Sequence, residues 1–393
     1  MSTEVFDWII IGGGIHGVHI AARLLGESKV KGNQLRIIDP GQSLLERWNT
    51  STKTTGMTHL RSPSVHHLDL SPWSLMQYAK KYRKGQRKVF VPPYDRPNLL
   101  MFNEHCKGVI DKFQLSNLHI QDRVEQCSIT NGGVLIKLKQ NKELLARHIV
   151  LAIGASEQPA WPSWAPQEHP RVHHIFDPKF SEWSADEGSY IIVGGGISAA
   201  QVAIRLVNKG YHVDLVSRHS LRKHQFDSDS GWLGPKLMKK FSREKDFNQR
   251  RLLISQARHK GSVPPDVHRA LRKAIHDQRL NWHKAEIDGM EFTDNSLQLK
   301  LENDIVIKSQ YLLLATGFTT TRPGGEMINE LIKSASLPCA YCGYPIVDSA
   351  LRWHPRIHVS GPLAELELGP VSRNIAGARR AADRLVKAHR TVG

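Results

Sequence analysis

The sequence predicts an α/β protein of two nested nucleotide-binding units. Three observations predict it: a glycine-rich turn near the start, a second turn of the same kind about 180 residues later, and two apolar, Gly-ending strands that flank the second turn. The first turn lies in Trp8-Ile9-Ile10-Ile11-Gly12-Gly13-Gly14-Ile15-His16-Gly17, and the second in Tyr190-Ile191-Ile192-Val193-Gly194-Gly195-Gly196-Ile197-Ser198-Ala199. In each, an apolar run with the character of a buried parallel strand ends in a tight turn and continues into an Ala-rich amphipathic helix. This arrangement suits a pyrophosphate: the first glycine makes the turn, the second admits the phosphates, and a small third residue lets helix and strand pack closely. The helix N-terminus adds N–H donors and partial positive charge. Two copies in the same context imply two dinucleotides and electron transfer between them, with Gly12, Gly14, Gly17, Gly194, Gly196 and Ser198 at the phosphates.

Further along, Gln34-Leu35-Arg36-Ile37-Ile38 reads as a strand ending in Asp39, where this architecture places an acid that accepts from ribose hydroxyls. An Asp before Pro-Gly is also a good turn residue. Residues 43–97 have mixed polarity. A hairpin is expected from Val124 to Lys139 with its turn at Asn131-Gly132-Gly133. The segments Arg147–Ala155 and Tyr311–Gly317 read as related buried strands ending in small-residue turns, and the Pro-rich stretch 158–166 reads as a crossing between units. Two Rossmann-like domains are therefore expected, one inserted into the other: an outer domain of about residues 1–158 plus 310–393, and an inner domain of about 159–309. A last strand, Arg356–Ser360, ends at Gly361-Pro362, and a long Ala/Arg helix is expected from near Gly369-Pro370, because proline suits a first helical turn.

Bulk composition narrows the classes. The chain of 393 residues, 40% hydrophobic and 23% charged, has the composition of a soluble globular protein with more than one domain. No apolar run reaches the roughly 18 residues of a membrane span. The acidic start Met1–Asp7 is unlike a signal peptide, so a cytoplasmic protein is expected. Four scattered cysteines do not make a secreted disulfide framework. The net charge of +17 is concentrated: residues 218–284 hold 17 Lys and Arg against 6 Asp and Glu. Such a face attracts an anionic cofactor, an acidic substrate, nucleic acid or a membrane surface, and a solvated face that helps capture a dinucleotide phosphate is favoured. Aromatics there are too widely spaced for a stacking platform, which argues against RNA.

The order of these motifs, with Gly194-Gly195-Gly196-Ile197-Ser198-Ala199-Ala200-Gln201 as the most specific, resembles the flavin-dependent monooxygenases with two nucleotide domains, and most of all the lysine/ornithine N-hydroxylase group. The resemblance implies FAD in the first domain and NADPH in the second. Leu45-Glu46-Arg47-Trp48 and Met57-Thr58-His59-Leu60-Arg61-Ser62-Pro63 resemble the family's FAD loops, which places Trp48 and Met57 on the flavin side. Thr316, Gly317 and Gly361 join them at the Gly-ending strands, and the C-terminal helix would point its N-terminus at the flavin pyrimidine. The stretch between Met57 and Pro63 is shorter than in the N-hydroxylases, and their Phe-Leu-Lys run has no counterpart, so substrate identity does not carry over.

Among individual side chains, Arg218 follows the strand His212–Val216 where a cation can accept the 2′-phosphate of NADPH, with Lys223, His224, Arg250 or Arg251 assisting. His59 and Arg61 are the candidates for the active site, the first for proton transfer and the second for binding a carboxylate or pyrophosphate. Cys339 and Cys342, spaced C-x-x-C, allow a dithiol reading, but their position is unlike that of the disulfide reductases. His66-His67 and His173-His174 lack companions at metal-ligand spacing, so no metal is expected. The leading expectation is a monooxygenase that uses NADPH and O2 to oxygenate a nucleophilic nitrogen or sulfur of a small molecule. Its rivals are a reductase acting on a quinone, disulfide or protein acceptor, and an RNA-binding flavoprotein or nucleotide sensor.

Overall fold

The computed structural model describes residues 4–82, 89–180, 188–302 and 304–392, with side chains described to 390. Two largely parallel sheets carry the two glycine turns. In the first, the strands run in the order Arg352–His354, Ile357–Val359, Glu143–Leu151, Val5–Ile11, Leu35–Asp39, His119–Gln121. The expected hairpin is present as antiparallel strands Val124–Thr130 and Gly133–Leu138, and the latter pairs with Glu143–Leu151. The opening strand is apolar on both faces because both are covered. Trp8 and Ile10 pack toward the helices Ile15–Glu27 and Ile375–Val392, while Ile9 and Ile11 face the opposite core with Leu151 and Val359. Each such side chain fully buried contributes about 1.5–3 kcal/mol.

The second sheet is parallel, in the order Asn281–Lys284, His212–Ser217, Ser189–Val193, Tyr311–Leu314, Val172–His174. Here Tyr190 and Ile192 meet the helices Ile197–Asn208 and Pro265–His276, and Ile191 packs toward a small antiparallel sheet of Ile287–Phe292, Leu297–Leu301 and Val306–Ser309. Tyr311–Leu314 was expected in the outer unit but pairs with Ser189–Val193, so the return to the outer unit follows this strand.

The final helix also differs from expectation. Pro370–Arg373 forms a single 3-10 turn, and the helix proper runs over Ile375–Val392. Gly369, at φ +76° and ψ −166°, and the extended Asn374 break the continuity that Pro370 alone would allow. Within 43–97, which showed no clear pattern, the chain forms helices Glu46–Thr55 and Ser74–Tyr82. No helix among the described residues is long and apolar enough to cross a membrane.

Candidate functional site

The two glycine turns are built alike down to single hydrogen bonds. Gly12 N–H donates to Ile38 O at 2.8 Å, and Ala152 N–H donates to Ile11 O at 2.9 Å; in the second unit Gly194 N–H donates to Val216 O at 2.9 Å, and Ala315 N–H to Val193 O at 2.8 Å. Gly12 (φ +113°) and Gly194 (φ +152°) lie so close to the returning strand that a Cβ would stand 2.6 Å from Ala152 O and 2.5 Å from Ala315 O. A Cβ on Gly17 would fall 1.8 Å from Gly12 O, which makes that glycine a packing requirement, whereas the second unit seats Ala199 at the matching place. Gly14 is different. It has φ −78°, and nothing lies within 4 Å of its Cβ position, so the space in front of it is open for a ligand.

The same correspondence sets the strand ends side by side. Asp39 lies one residue beyond Ile38; its carboxylate accepts from Gly13 N–H at 2.7 Å and from Gly41 N–H at 2.9 Å. The matching residue after Val216 is Ser217, whose Oγ accepts from Trp282 Nε1 at 2.9 Å and donates to the carbonyl of His219. An acid thus stands at the end of the first unit's strand and a neutral hydroxyl at the matching place in the second, followed by the exposed Arg218. A 2′-phosphate at the second position would meet no carboxylate from Ser217. Sequence reasoning missed Ser217 because its equivalence to Asp39 rests on strand register.

A groove of about 1570 Å³ runs along the C-terminal ends of the first sheet, lined by Gly12, Asp39, Arg47, Gly154, Arg123 and, from the second unit, Arg205, among others. Ligands of open α/β sheets bind at this edge. Near it, Arg47 donates to the carbonyls of Ser156 and Phe176, and Arg205 donates to those of Lys53 and Thr54, at the C-terminal end of the helix Glu46–Thr55. Trp48 and Met57 pack against the first core; Trp48 Nε1 donates to Asn103 Oδ1 at 2.9 Å.

A second cavity, about 290 Å³, opens where the loop Arg61-Ser62-Pro63, His66, Ile197 of the second helix, the stretch Phe226–Ser230, and Asn374 at the last helix converge. Burial, reinforced by Arg379 and Arg380, pushes the His66 imidazole down to about 4, so it is neutral near pH 7. Asn374 Nδ2 donates to Asp227 Oδ1 at 3.2 Å across the two units. Nearby, Gly361 (φ +63°) faces the His16 ring, and His16 Nδ1 lies 2.8 Å from Ser360 Oγ. His16, Asp227 and Asn374 gave no sequence signal beyond the place of His16 inside the first motif.

The two expected catalytic residues separate. Arg61 lines the smaller cavity, but its Nε donates to Gln225 O at 2.8 Å and its Nη2 to His224 O at 2.8 Å and Ser262 Oγ at 2.9 Å. His59, two residues earlier, forms a main-chain bridge with Asn98, and its Nδ1 lies 3.2 Å from Thr58 Oγ1; it lines neither cavity. Thr316 Oγ1 donates to Ala160 O at 2.5 Å, and Gly317 O accepts from Ala160 N–H, so both hold the crossing between the units.

Arg250 and Arg251 are committed elsewhere. Arg250 pairs with Glu367 at 3.0 Å, and Arg251 pairs with the fully buried Glu365, which Arg258 and Arg373 also reach. Burial alone would raise the Glu365 carboxyl; its bonds to Arg373 and the charges of Arg258 and Arg251 hold it below the usual range. Part of the basic excess is thereby spent on joining the insert to the last segment of the chain. All four cysteines are free thiols, and none lines either cavity. Among the described residues no group of three or more His, Cys, Asp or Glu is placed to hold a metal.

Known structures share this architecture over its whole length. An ornithine hydroxylase from Pseudomonas aeruginosa is similar over 99% of this chain and 100% of its own, with TM-score 0.75 and 17% identity. An ornithine N-hydroxylase from Kutzneria sp. 744 matches with TM-score 0.76 and 15% identity over 99% of this chain and 100% of its own. A bacillithiol disulfide reductase from Staphylococcus aureus matches with TM-score 0.64 and 15% identity over 99% of each chain. These likenesses establish a fold of two dinucleotide-binding domains. No curated protein sequence matches. The sequence profile described as pyridine nucleotide-disulphide oxidoreductase matches residues 9–251, more than half of the chain and both glycine turns. The chain belongs to the pyridine nucleotide-disulphide oxidoreductase family, and is an oxidoreductase.

Proposed function

We propose that the protein is an FAD-containing, NADPH-dependent monooxygenase that places one oxygen atom of O2 on a nucleophilic nitrogen or sulfur of a small molecule. FAD belongs to the first turn, where Gly14 leaves phosphate space open and Asp39 meets the ribose; NADPH belongs to the second, where Ser217 and Arg218 replace the acid. The flavin supplies the redox chemistry when bound, and the protein positions, orients and excludes water. Arg61 and Asn374 hold the two units together around the smaller cavity, Arg205 does so beside the larger groove, and neutral His66 leaves the smaller cavity free of an imidazolium charge.

The observation that carries oxygenation over thiol chemistry is the position of the cysteines. Cys106 and Cys127 are buried in the cores, and Cys339 and Cys342 lie outside both cavities, with Cys342 beside Arg251. The fuller likeness to the ornithine hydroxylases than to the bacillithiol disulfide reductase supports the same reading. The test is oxygen accounting. Without an acceptor, NADPH oxidation by the FAD-loaded protein should release H2O2; an amine or thioether substrate should lower H2O2 per NADPH and acquire label from isotopic O2. Rapid reduction of a quinone or disulfide with no label incorporated would establish the reductase instead.

Nucleotide choice gives a second expectation. If Arg218 receives the 2′-phosphate, the charge-assisted contact contributes about 1.5–3 kcal/mol, roughly ten- to a hundredfold in affinity. Arg218→Ala should weaken NADPH by that factor and leave NADH nearly unchanged in equilibrium titrations. Equal losses for both nucleotides would remove Arg218 from that place.

A further inference from the structure

The two turns differ in one respect that their shared architecture does not require. The space in front of Gly14 is open, but the matching space in front of Gly196 is bordered by the chain itself: Gly261 Cα lies in van der Waals contact, 3.7 Å from where a Gly196 Cβ would stand. Beside it, the His219 ring is wedged between two glycines. Its Cε1 is 2.6 Å from the Cβ position of Gly195, and its Nε2 is 2.3 Å from that of Gly261. Neither of the two cavities includes Gly194, Gly195 or Gly196 in its lining.

The segment that borders this space, residues 258–262, is held at several points. His259 N–H donates to Asp227 O at 2.7 Å, Arg222 Nη1 donates to Lys260 O at 3.2 Å, and Ser262–Val263 pairs with Arg222–Lys223. Ser262 Oγ donates to His259 O at 2.6 Å and accepts from Arg61 Nη2 at 2.9 Å. The last of these bonds comes from the other unit, out of the loop that follows Met57.

We propose that residues 258–262 form a strap closed over the second nucleotide turn, that NADPH binds when the strap moves aside, and that Arg61 is a positioning residue that holds it shut through Ser262. The proposal rests on the assignment of the second turn to NADPH. A strap lying across the phosphate space multiplies the intrinsic affinity by the fraction of molecules in which it is open, a factor below one. Loosening it therefore tightens apparent binding, and because opening precedes binding, the gain appears in the association rate. Arg61 joins the first cofactor's loop to the gate of the second.

The test is NADP+ binding to the FAD-loaded protein, by titration and by stopped flow. Ser262→Ala removes the anchor for Arg61, and one lost hydrogen bond should tighten NADP+ by about two- to tenfold. Gly261→Ala sets a Cβ against His219 at a left-handed φ of +66° and should open the strap further, with an equal or larger gain. In both variants the association rate should rise while dissociation changes little. Unchanged or weaker NADP+ binding in both would overturn the strap while leaving the nucleotide assignment in place. No NADP+ binding by the parent or either variant, with FAD held normally, would overturn that assignment and the strap with it.

Discussion

Gly14→Val is expected to fold like the parent and to emerge without FAD. Gly14 has φ −78° and ψ −168°, extended backbone that valine adopts readily, and its Cβ position meets nothing within 4 Å. The substitution therefore meets no obstacle inside the protein. Its three added carbons instead enter the space in front of the helix Ile15–Glu27, where free N–H groups would bind the pyrophosphate. Losing even two charge-assisted hydrogen bonds of about 1.5–3 kcal/mol each lowers affinity at least about a hundredfold. Gly17→Ala supplies the contrast: its Cβ would stand 1.8 Å from Gly12 O, so that variant should lose stability before any question of binding arises. The measurements are the flavin absorbance of purified protein, reconstitution with FAD, and circular dichroism of the apoproteins. A yellow, FAD-saturated Gly14→Val protein would remove the first turn from the flavin site.

The turns were legible in the sequence because their determinants are local. A buried strand, three glycines and an Ala-rich helix fall within some twenty residues, and Gly12 and Gly17 have steric reasons visible in the backbone. Strand membership was less legible. Leu312, Leu313 and Leu314 are buried on both faces in either sheet, and nothing in a two-sided apolar strand names its neighbour, so the pairing of Tyr311–Leu314 with Ser189–Val193 required the fold. The helix Glu46–Thr55 was hidden for a different reason: four threonines make it a weak helix former, and it is held by Arg205 at its C-terminal end. The arginines taken as phosphate ligands found carboxylates instead, because Arg251 and Glu365 are separated by 114 residues in sequence and adjoin only after folding. His59 and Arg61 are near in sequence, yet Arg61 bonds to the second unit and lines the smaller cavity, while His59 lines neither cavity.

Mild acid is expected to unfold the protein between pH 6 and 5. His19, His67, His105, His174 and His358 are all at most 5% exposed. Burial pushes His105 and His174 down to about 4, His67 and His358 down to about 3, and His19 well below its usual value. Several are fixed by hydrogen bonds, His19 Nδ1 to Leu68 O at 2.7 Å, His105 Nε2 to Ser74 Oγ at 2.9 Å, and His174 Nε2 to Thr316 Oγ1 at 3.2 Å. In the unfolded chain each ring titrates near 6.5. Below that pH the unfolded state binds protons that the folded state refuses, so stability falls as pH falls, and continues to fall until the folded values are reached. At pH 5 each ring costs about 2 kcal/mol relative to pH 8, and five cost about 10 kcal/mol. Half of that sum, allowing for residual structure in the unfolded chain, is comparable with the total stability of an ordinary domain, about 5–15 kcal/mol. Self-repulsion acts in the same direction, since a chain with net charge +17 and 21 histidines grows more positive on acidification. Thermal melts followed by circular dichroism from pH 8 to pH 4.5 should show a steep fall in Tm below pH 6, with net proton uptake on unfolding. A Tm at pH 5 within a few degrees of that at pH 7 would mean that these imidazoles accept protons in the folded protein, and would contradict the burial that lowers their pKa values.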